Sequence, residues 1–145
     1  MQTSNKFDLI VVGAGHSGIE AALAAAKRGL KVALFTIKLE AIGRMSCNPS
    51  IGGPAKGHLA REIDALGGEL AKSADLSGIH FRMLNRSKGP AVWAPRSQND
   101  RQQYHLLMRE AVEKQQNIHL MEAIIEEIIV EQGKVKGVIS QIGCY

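Results

Sequence analysis

A glycine-rich turn between an apolar run and an alanine-rich segment constrains the fold of this chain most strongly. The apolar run is Leu9–Val12, and three glycines follow it with the spacing G-x-G-x-x-G: Gly13, Gly15 and Gly18. In this pattern the first glycine makes the tight turn, the second lets a pyrophosphate approach the backbone, and the third lets the helix pack closely on the strand. The alanine-rich segment ends at Gly29, and a second apolar run covers residues 32–35. This order of strand, turn, helix and strand predicts a dinucleotide-binding α/β domain.

The remaining sequence predicts further elements of an α/β domain. A helix is expected over residues 16–28, and residues 37–57, rich in glycine and proline, form a long connection. Further predicted helices cover residues 56–66, 69–75 and 97–114, the last with Ser97 as its N-cap. Predicted strands cover residues 79–84 and 118–121, and residues 123–130 and 135–140 form a β-hairpin. A loop covers residues 85–96, and residues 141–145 complete no element, so we expect the chain to end within a domain.

Composition narrows the classes of protein to which the chain can belong. Eighteen Lys and Arg against fourteen Asp and Glu give a net charge of +4. No apolar run reaches the roughly 20 residues that span a bilayer, and residues 1–5 lack the layout of a signal peptide. Two cysteines, Cys47 and Cys144, are too few for a disulfide framework. We therefore expect a cytoplasmic protein from a reducing compartment, without a membrane or metal site.

The residue at the end of the second strand bears on which dinucleotide binds. NAD-binding domains usually carry Asp or Glu there to bond the ribose hydroxyls. Here the position is Thr36, and the nearest acid, Glu40, lies past the strand. The absence of an acid at this position argues against NAD binding more than against FAD binding, because FAD is also held by long loops and later segments. The fold class expected is therefore α/β, a Rossmann-like FAD-binding fold of the glutathione-reductase type, with a parallel sheet plus a β-hairpin, incomplete in this chain.

Four segments of the sequence carry a resemblance to one family. They are Met-Ser-Cys-Asn-Pro-Ser-Ile-Gly-Gly at 45–53, Lys-Gly-His at 56–58, Arg-Glu-Ile-Asp-Ala-Leu-Gly-Gly at 61–68 and Phe-Arg-Met-Leu-Asn-Arg-Ser-Lys-Gly-Pro-Ala-Val-Trp at 81–93. With them the chain resembles the N-terminal part of the GidA/MnmG proteins, flavoenzymes that modify the wobble uridine of certain tRNAs. The resemblance extends from Phe7 to about Gly143.

The resemblance implies an activity, cofactors and partners. It implies an FAD enzyme that works with a GTPase of the MnmE/TrmE type and adds an aminomethyl or carboxymethylaminomethyl group at C5 of uridine 34. Methylenetetrahydrofolate is the implied carbon donor, NADH or NADPH the reductant, and a homodimer the implied full-length state. Family members are several times longer, so residues 1–145 are expected to be the N-terminal portion of an FAD-binding domain, inactive alone, with the nicotinamide site elsewhere.

Candidate cofactor residues come from both the motif and the resemblance. The glycine turn predicts that six residues cradle the FAD pyrophosphate: Gly13, Ala14, Gly15, His16, Ser17 and Gly18. Thr36 is the candidate for a ribose contact. The resemblance places Ile125 in the adenine pocket through its backbone; the alternative is an ordinary core residue of its strand.

Cys47 is the candidate catalytic residue. It lies in the loop that faces the flavin in this fold, and attack at C6 of uridine requires a thiolate, which nearby positive charge favours. Arg44 and Lys56 are close to it in sequence. The alternative is a half-buried loop cysteine with a supporting role, since the resemblance implies another candidate thiol beyond Tyr145.

A basic segment near the end of the 79–84 strand is the candidate RNA interface. Its candidate contact residues are Arg82, Arg86, Lys88, Trp93 and Arg96. Arginine holds phosphates and stacks on bases, and an aromatic ring stacks on bases. These residues are expected to contact RNA or cofactor; the alternative is a solvated basic loop.

Two other functions are compatible with the predicted fold. One is a small-molecule FAD or NAD oxidoreductase such as a disulfide reductase, although the sequence lacks a C-x-x-x-x-C or C-x-x-C pair. The other is a stand-alone dinucleotide-binding module without catalytic activity.

Overall fold

The computed structural model describes residues 6–145 in two compact units. The first unit contains residues 6–42 and Val112–Tyr145, and the second contains Gly43–Ala111. The prediction that residues 1–5 lack a signal-peptide layout lies outside the described residues.

Strands and short helices alternate along the described chain. The strands, in chain order, are β1 Leu9–Val12, β2 Val32–Thr36, β3 Ser50–Gly52, β4 Gly78–Leu84, β5 Ala94–Asn99, β6 Ile118–Glu122, β7 Ile125–Glu131, β8 Lys134–Ser140 and β9 Gly143–Cys144. The α-helices are α1 His16–Lys27, α2 Lys56–Ala65, α3 Leu70–Leu76 and α4 Arg101–Glu113. Short 3-10 turns cover Leu39–Ala41, Arg86–Lys88 and Pro90–Val92. None of the helices within residues 6–145 combines the length and apolarity needed to cross a bilayer.

A three-stranded parallel sheet forms the centre of the first unit. Its strand order is β1-β2-β6, with Val12 opposite Phe35 and Phe35 opposite Met121. The central strand β2 is fully buried, as its continuous apolar sequence predicts. Helix α1 packs on this sheet through small and apolar side chains, of which Ile19 and Ala22 have no exposed surface. The predicted strand–turn–helix–strand unit is confirmed.

An antiparallel sheet of β7, β8 and β9 completes the first unit. The predicted hairpin is confirmed, and Gln132 and Gly133 form its two-residue turn with φ of +50° and +73°. Positive φ at both positions is typical of a hairpin turn that matches the strand twist. The expectation that residues 141–145 complete no element is wrong, because β9 pairs with β8. Its two-residue length leaves no periodic signal in the sequence.

The second unit combines an antiparallel sheet of order β3-β5-β4 with helices α2 and α3. The prediction of one long connection over residues 37–57 is wrong in part, since β3 lies inside it. The prediction of a helix starting at Ser97 is also wrong. Residues up to Asn99 belong to β5, and α4 starts at Arg101 with Asp100 as its cap, whose Oδ1 accepts a hydrogen bond from the Gln103 amide at 2.8 Å.

A buried polar network explains why a polar sequence forms the central strand of this sheet. Asn99 is 2% exposed, and its amide group donates to the Ala74 carbonyl and to Ser77 Oγ. Asn99 Oδ1 accepts a hydrogen bond from Ser97 Oγ at 2.9 Å. The hydroxyl of Ser77 donates to the Ser73 carbonyl at 2.7 Å. These bonds join β5 to α3 and satisfy groups that would otherwise be costly to bury.

We expect Asn99→Ala to destabilise the second unit by about 2–4 kcal/mol, because it leaves several buried polar atoms without their partner. Amide hydrogen exchange within β3 and β5, together with the thermal unfolding midpoint, measures the effect. Gln98→Ala is the matched control, since Gln98 is exposed on the same strand. Equal protection in the two variants would contradict the prediction.

Candidate functional site

The glycine turn between β1 and α1 has the geometry that close strand–helix packing requires. Gly13 has φ of +100°, and its amide donates to the Phe35 carbonyl at 2.7 Å. A Cβ atom on Gly18 would lie 1.8 Å from the Gly13 carbonyl oxygen. Gly13 therefore supplies the left-handed conformation of the turn, and Gly18 is required because the turn leaves no space for a side chain there.

The start of α1 is open at the position where a pyrophosphate is expected. Gly15 is the N-cap, no side chain caps the helix there, and a Cβ on Gly15 would meet nothing within 4 Å. The first intrahelical bond joins the Ile19 amide to the Gly15 carbonyl at 2.9 Å. The amides of Ser17 and Gly18 therefore point out of the helix start, where the helix dipole favours an anion. Ala14 is buried, so it supports the turn through packing. This exposed backbone fits the pyrophosphate of a dinucleotide.

Thr36 lies beside this turn at the carboxyl end of β2. Its side chain is 6% exposed, and Oγ1 donates to the Lys38 carbonyl at 3.1 Å. Because that bond uses the hydroxyl proton, Thr36 can offer a ribose only an acceptor. The carbonyl of Thr36 accepts the amide of Ala123 at 2.9 Å, which brings the segment before β7 next to the end of β2.

Ile125 begins β7, two residues after that bond. Its partly buried side chain packs against a small core cluster that includes Phe35, Ala123 and Val138. The structure thus places Ile125 in the same unit as the glycine turn and Thr36. Because its side chain packs in the protein, Ile125 would contact a ligand through its backbone.

Cys47 lies in the loop before β3 and is exposed, as is Cys144, and both are free thiols. The alternative of a half-buried Cys47 is therefore wrong. Arg101 Nη2 donates to the Cys47 carbonyl at 3.1 Å, and Lys56 Nζ donates to the Ser50 carbonyl at 3.1 Å. Two cationic side chains thus hold the backbone of this loop. The sequence does not indicate the contact from Arg101, because its pattern predicts a helix that starts at Ser97, whereas α4 starts at Arg101.

The loop after β4 is closed by its own hydrogen bonds. Asn85 adopts a left-handed conformation with φ of +59°, and its side-chain amide donates to the Val92 carbonyl at 3.2 Å. Trp93 Nε1 donates to the Arg86 carbonyl at 3.2 Å. The Lys88 amide donates to the Asn85 carbonyl at 2.9 Å. The exposed Trp93 therefore fixes the base of the loop that carries Arg86 and Lys88.

The four predicted basic residues line two cavities of the second unit, and Arg82 and Arg86 line both. Arg82, Arg86 and Arg96 line a cavity of about 550 Å³, which Arg61 of α2 also lines. Lys88 lines a neighbouring cavity of about 700 Å³ formed by residues 81–88. The structure thus brings three of the five predicted residues together and adds Arg61, which sequence reasoning missed because it lies on another element.

No group of three or more His, Cys, Asp or Glu side chains within residues 6–145 is placed to hold a metal ion.

The parallel sheet, the glycine turn and the following hairpin define a Rossmann-like fold of the FAD-binding type. The family model for glucose inhibited division protein A, GidA, matches residues 8–145. The chain therefore belongs to the GidA family.

Individual relatives agree with this assignment. The tRNA uridine 5-carboxymethylaminomethyl modification enzyme MnmG of Thermodesulfovibrio yellowstonii is 61% identical over 145 residues, which is 100% of this chain and 23% of the relative. The enzyme of the same name from Geobacter metallireducens is 56% identical over 95% of this chain and 22% of the relative. The solved structure of Aquifex aeolicus GidA matches with a TM-score of 0.92 and 48% identity, over 99% of this chain and 24% of that one. The chain thus spans about a quarter of the length of these relatives.

Proposed function

We propose that this chain is the N-terminal FAD-binding part of an enzyme that adds an aminomethyl or carboxymethylaminomethyl group at C5 of uridine 34 in tRNA. The observation that carries the proposal is the match over all 145 residues, at 61% identity, to a relative that is named as a tRNA uridine 5-carboxymethylaminomethyl modification enzyme. The match extends over the glycine turn, the Cys47 loop and the segments that line the 550 Å³ cavity.

The glycine turn is proposed to hold the FAD pyrophosphate. The amides at the start of α1 would bond the phosphate oxygens, and the bare backbone at Gly15 allows the close approach. Thr36 would accept a hydrogen bond from the ribose, and the backbone of Ile125 would contact the adenine. When bound, FAD supplies two-electron redox chemistry; the described residues supply its binding and orientation.

Cys47 is proposed as the catalytic nucleophile. Its thiolate would add to C6 of uridine while the C5–C6 π electrons move to the C4 carbonyl oxygen, which makes C5 nucleophilic. C5 would then bond to the methylene carbon of an iminium ion formed from methylenetetrahydrofolate and glycine or ammonia, and the C=N π electrons move to its nitrogen. Loss of the C5 proton and departure of the thiolate from C6 then restore the ring with its new substituent. The exposure of Cys47 and the hydrogen bond from Arg101 to its carbonyl support this role, because they present the thiol on a held loop.

The remaining proposals concern the substrates and partners of the whole protein. RNA contacts are proposed for Arg82, Arg86, Lys88, Trp93 and Arg96. Three of these residues, Arg82, Arg86 and Arg96, line the 550 Å³ cavity, and the hydrogen bond from Trp93 to the Arg86 carbonyl closes the loop that carries Lys88. Methylenetetrahydrofolate would supply the carbon, and NADH or NADPH the electrons, at a site outside this segment. The protein would act in the cytoplasm as a homodimer with a GTPase of the MnmE/TrmE type.

Reconstitution of the full-length protein tests the proposed function. We expect tRNA from a strain that lacks the modification to gain it when incubated with the protein, FAD, NADH, methylenetetrahydrofolate, a glycine or ammonium source, GTP and the partner GTPase. Nucleoside mass spectrometry after digestion detects the modified uridine. Flavin-bound protein that oxidises NADH but leaves the tRNA unmodified would instead support a small-molecule oxidoreductase.

A further inference from the structure

The strand next to β2 carries an acid at the level where β2 itself has none. Dinucleotide-binding domains usually have Asp or Glu at the end of the second strand, where the carboxylate bonds a ribose hydroxyl. In this chain the position is Thr36, and the parallel pairing of β2 with β6 puts Glu122 directly beside it. Neighbouring strands lie about 4.8 Å apart, and side chains at the same register leave the same face of the sheet. A carboxylate is therefore available at this position from β6 rather than from β2.

A single peptide group connects these two side chains. Thr36 Oγ1 donates to the Lys38 carbonyl at 3.1 Å, and the Leu39 amide donates to Glu122 Oε2 at 2.8 Å. The carbonyl and the amide belong to the same peptide group, so the two side-chain oxygens are at most about 8 Å apart. Glu122 thus holds the segment that follows β2, although the two are distant in sequence.

The Glu122 carboxylate retains acceptor capacity for a ligand. A carboxylate has two oxygens and accepts about four hydrogen bonds, of which the Leu39 amide takes one on Oε2. Glu122 is exposed, so solvent or a ligand can reach Oε1. Thr36 offers a ligand only an acceptor, because its hydroxyl proton is used on the Lys38 carbonyl. Two neighbouring acceptors match the two hydroxyl groups of a ribose, each of which can donate a hydrogen bond.

Glu40 is a second acid near this position, but strand pairing does not place it beside Thr36. It lies in the 3-10 turn Leu39–Ala41, past the end of β2, and is exposed. Glu122 differs because the register of β6 fixes its level in the sheet and the Leu39 amide fixes its carboxylate. Glu40 has the same side chain and charge in the same unit, so it supplies a matched control.

We infer that the Glu122 carboxylate binds a ribose hydroxyl of the FAD adenosine, in place of the acid that other dinucleotide-binding domains carry on the second strand. The inference rests on the proposed function, since it requires FAD at the glycine turn. It gives one side chain two tasks: Oε2 holds the Leu39 amide, and Oε1 accepts a hydrogen bond from the ribose. A bond to an ionised carboxylate is roughly twice as strong as one between neutral groups, so Glu122 contributes more to the ribose site than Thr36 does.

Titration of the full-length protein, freed of flavin, with two ligands tests this inference. One ligand is FAD, and the other is the FAD analogue that contains 2′,3′-dideoxyadenosine and therefore has no hydroxyl on that ribose. The change in flavin fluorescence gives each affinity. We expect Glu122→Gln to weaken FAD binding by about 10-fold, because glutamine keeps an oxygen for the Leu39 amide but presents no carboxylate to the ribose. The same variant should bind the analogue as tightly as the unsubstituted protein does.

Two further variants separate ribose binding from support of the loop. Glu40→Gln removes the same charge from the 3-10 turn and should leave both affinities unchanged. Glu122→Ala also removes the acceptor of the Leu39 amide, so it should weaken the binding of both ligands. Its loss for FAD should exceed its loss for the analogue by about 10-fold, since only FAD has the hydroxyl that the carboxylate binds.

The pattern across the two ligands decides between the possible roles of Glu122. Equal losses for FAD and the analogue in Glu122→Gln would limit this residue to holding the loop and would overturn the inference. Unchanged FAD affinity in Glu122→Gln, or a loss specific to FAD in Glu40→Gln alone, would overturn it as well. In each of these cases the unsubstituted protein still binds FAD, so the proposed function stands. Unsubstituted protein that binds neither ligand would contradict the proposed function and the inference together.

Discussion

Replacing Gly15 with valine in the full-length protein is expected to lower FAD affinity by on the order of 100-fold, so that the protein purifies without flavin. Gly15 has φ of −75° and ψ of −179°, which any residue adopts, and a Cβ there meets nothing within 4 Å. Valine therefore fits the protein itself. Its methyl groups occupy the space through which the pyrophosphate approaches the backbone, so the loss falls on the ligand. Absorbance of the bound flavin relative to protein measures the result.

Two variants of the same element control this experiment. Ala21→Val adds similar bulk to an exposed position of α1 and should keep full flavin content. Gly18→Ala should instead disturb folding, since its Cβ would lie 1.8 Å from the Gly13 carbonyl oxygen. A Gly15→Val protein that retains full flavin would show that the pyrophosphate does not bind at this turn.

The different behaviour of these glycines shows why this half of the fold is predictable from sequence. The turn from β1 into α1 requires a left-handed residue at Gly13 and no side chain at Gly18, and both requirements act within six residues. The run over β2 is apolar because neighbouring strands and α1 cover it. Local sequence therefore contains the information that sets the strand–turn–helix unit.

Strand β5 shows where such reasoning fails. Ser97 and Asn99 are polar, and a polar run before an apolar-periodic segment is also typical of a helix start. They can be buried because Ser97 donates to Asn99, and Asn99 in turn donates to the Ala74 carbonyl and Ser77 Oγ, which are far away in sequence. The register that places Arg82 opposite Arg96 depends on the same pairing. The sequence identifies each arginine as a candidate, but it does not show that they line one cavity with Arg61.

Replacing Cys47 with serine is expected to lower the rate of tRNA modification by at least about 1,000-fold, on the scale that loss of a covalent nucleophile costs other enzymes. Serine is close in size, and the recorded contact of this residue is through its carbonyl, which serine retains. Flavin content and RNA affinity should therefore be unchanged. The modification rate is measured by nucleoside mass spectrometry in the reconstituted reaction.

Cys144 offers the matched control for this substitution. It is also an exposed free thiol, but it lies in β9 of the first unit, so Cys144→Ser should modify tRNA at the normal rate. In the Cys144→Ser protein, iodoacetamide should inactivate the enzyme at the rate at which it alkylates Cys47. Bound tRNA should slow both the inactivation and the alkylation, because the substrate covers a nucleophile that attacks uridine. A Cys47→Ser enzyme that modifies tRNA normally would remove Cys47 from the chemistry and leave the second candidate thiol, beyond Tyr145, as the nucleophile to test.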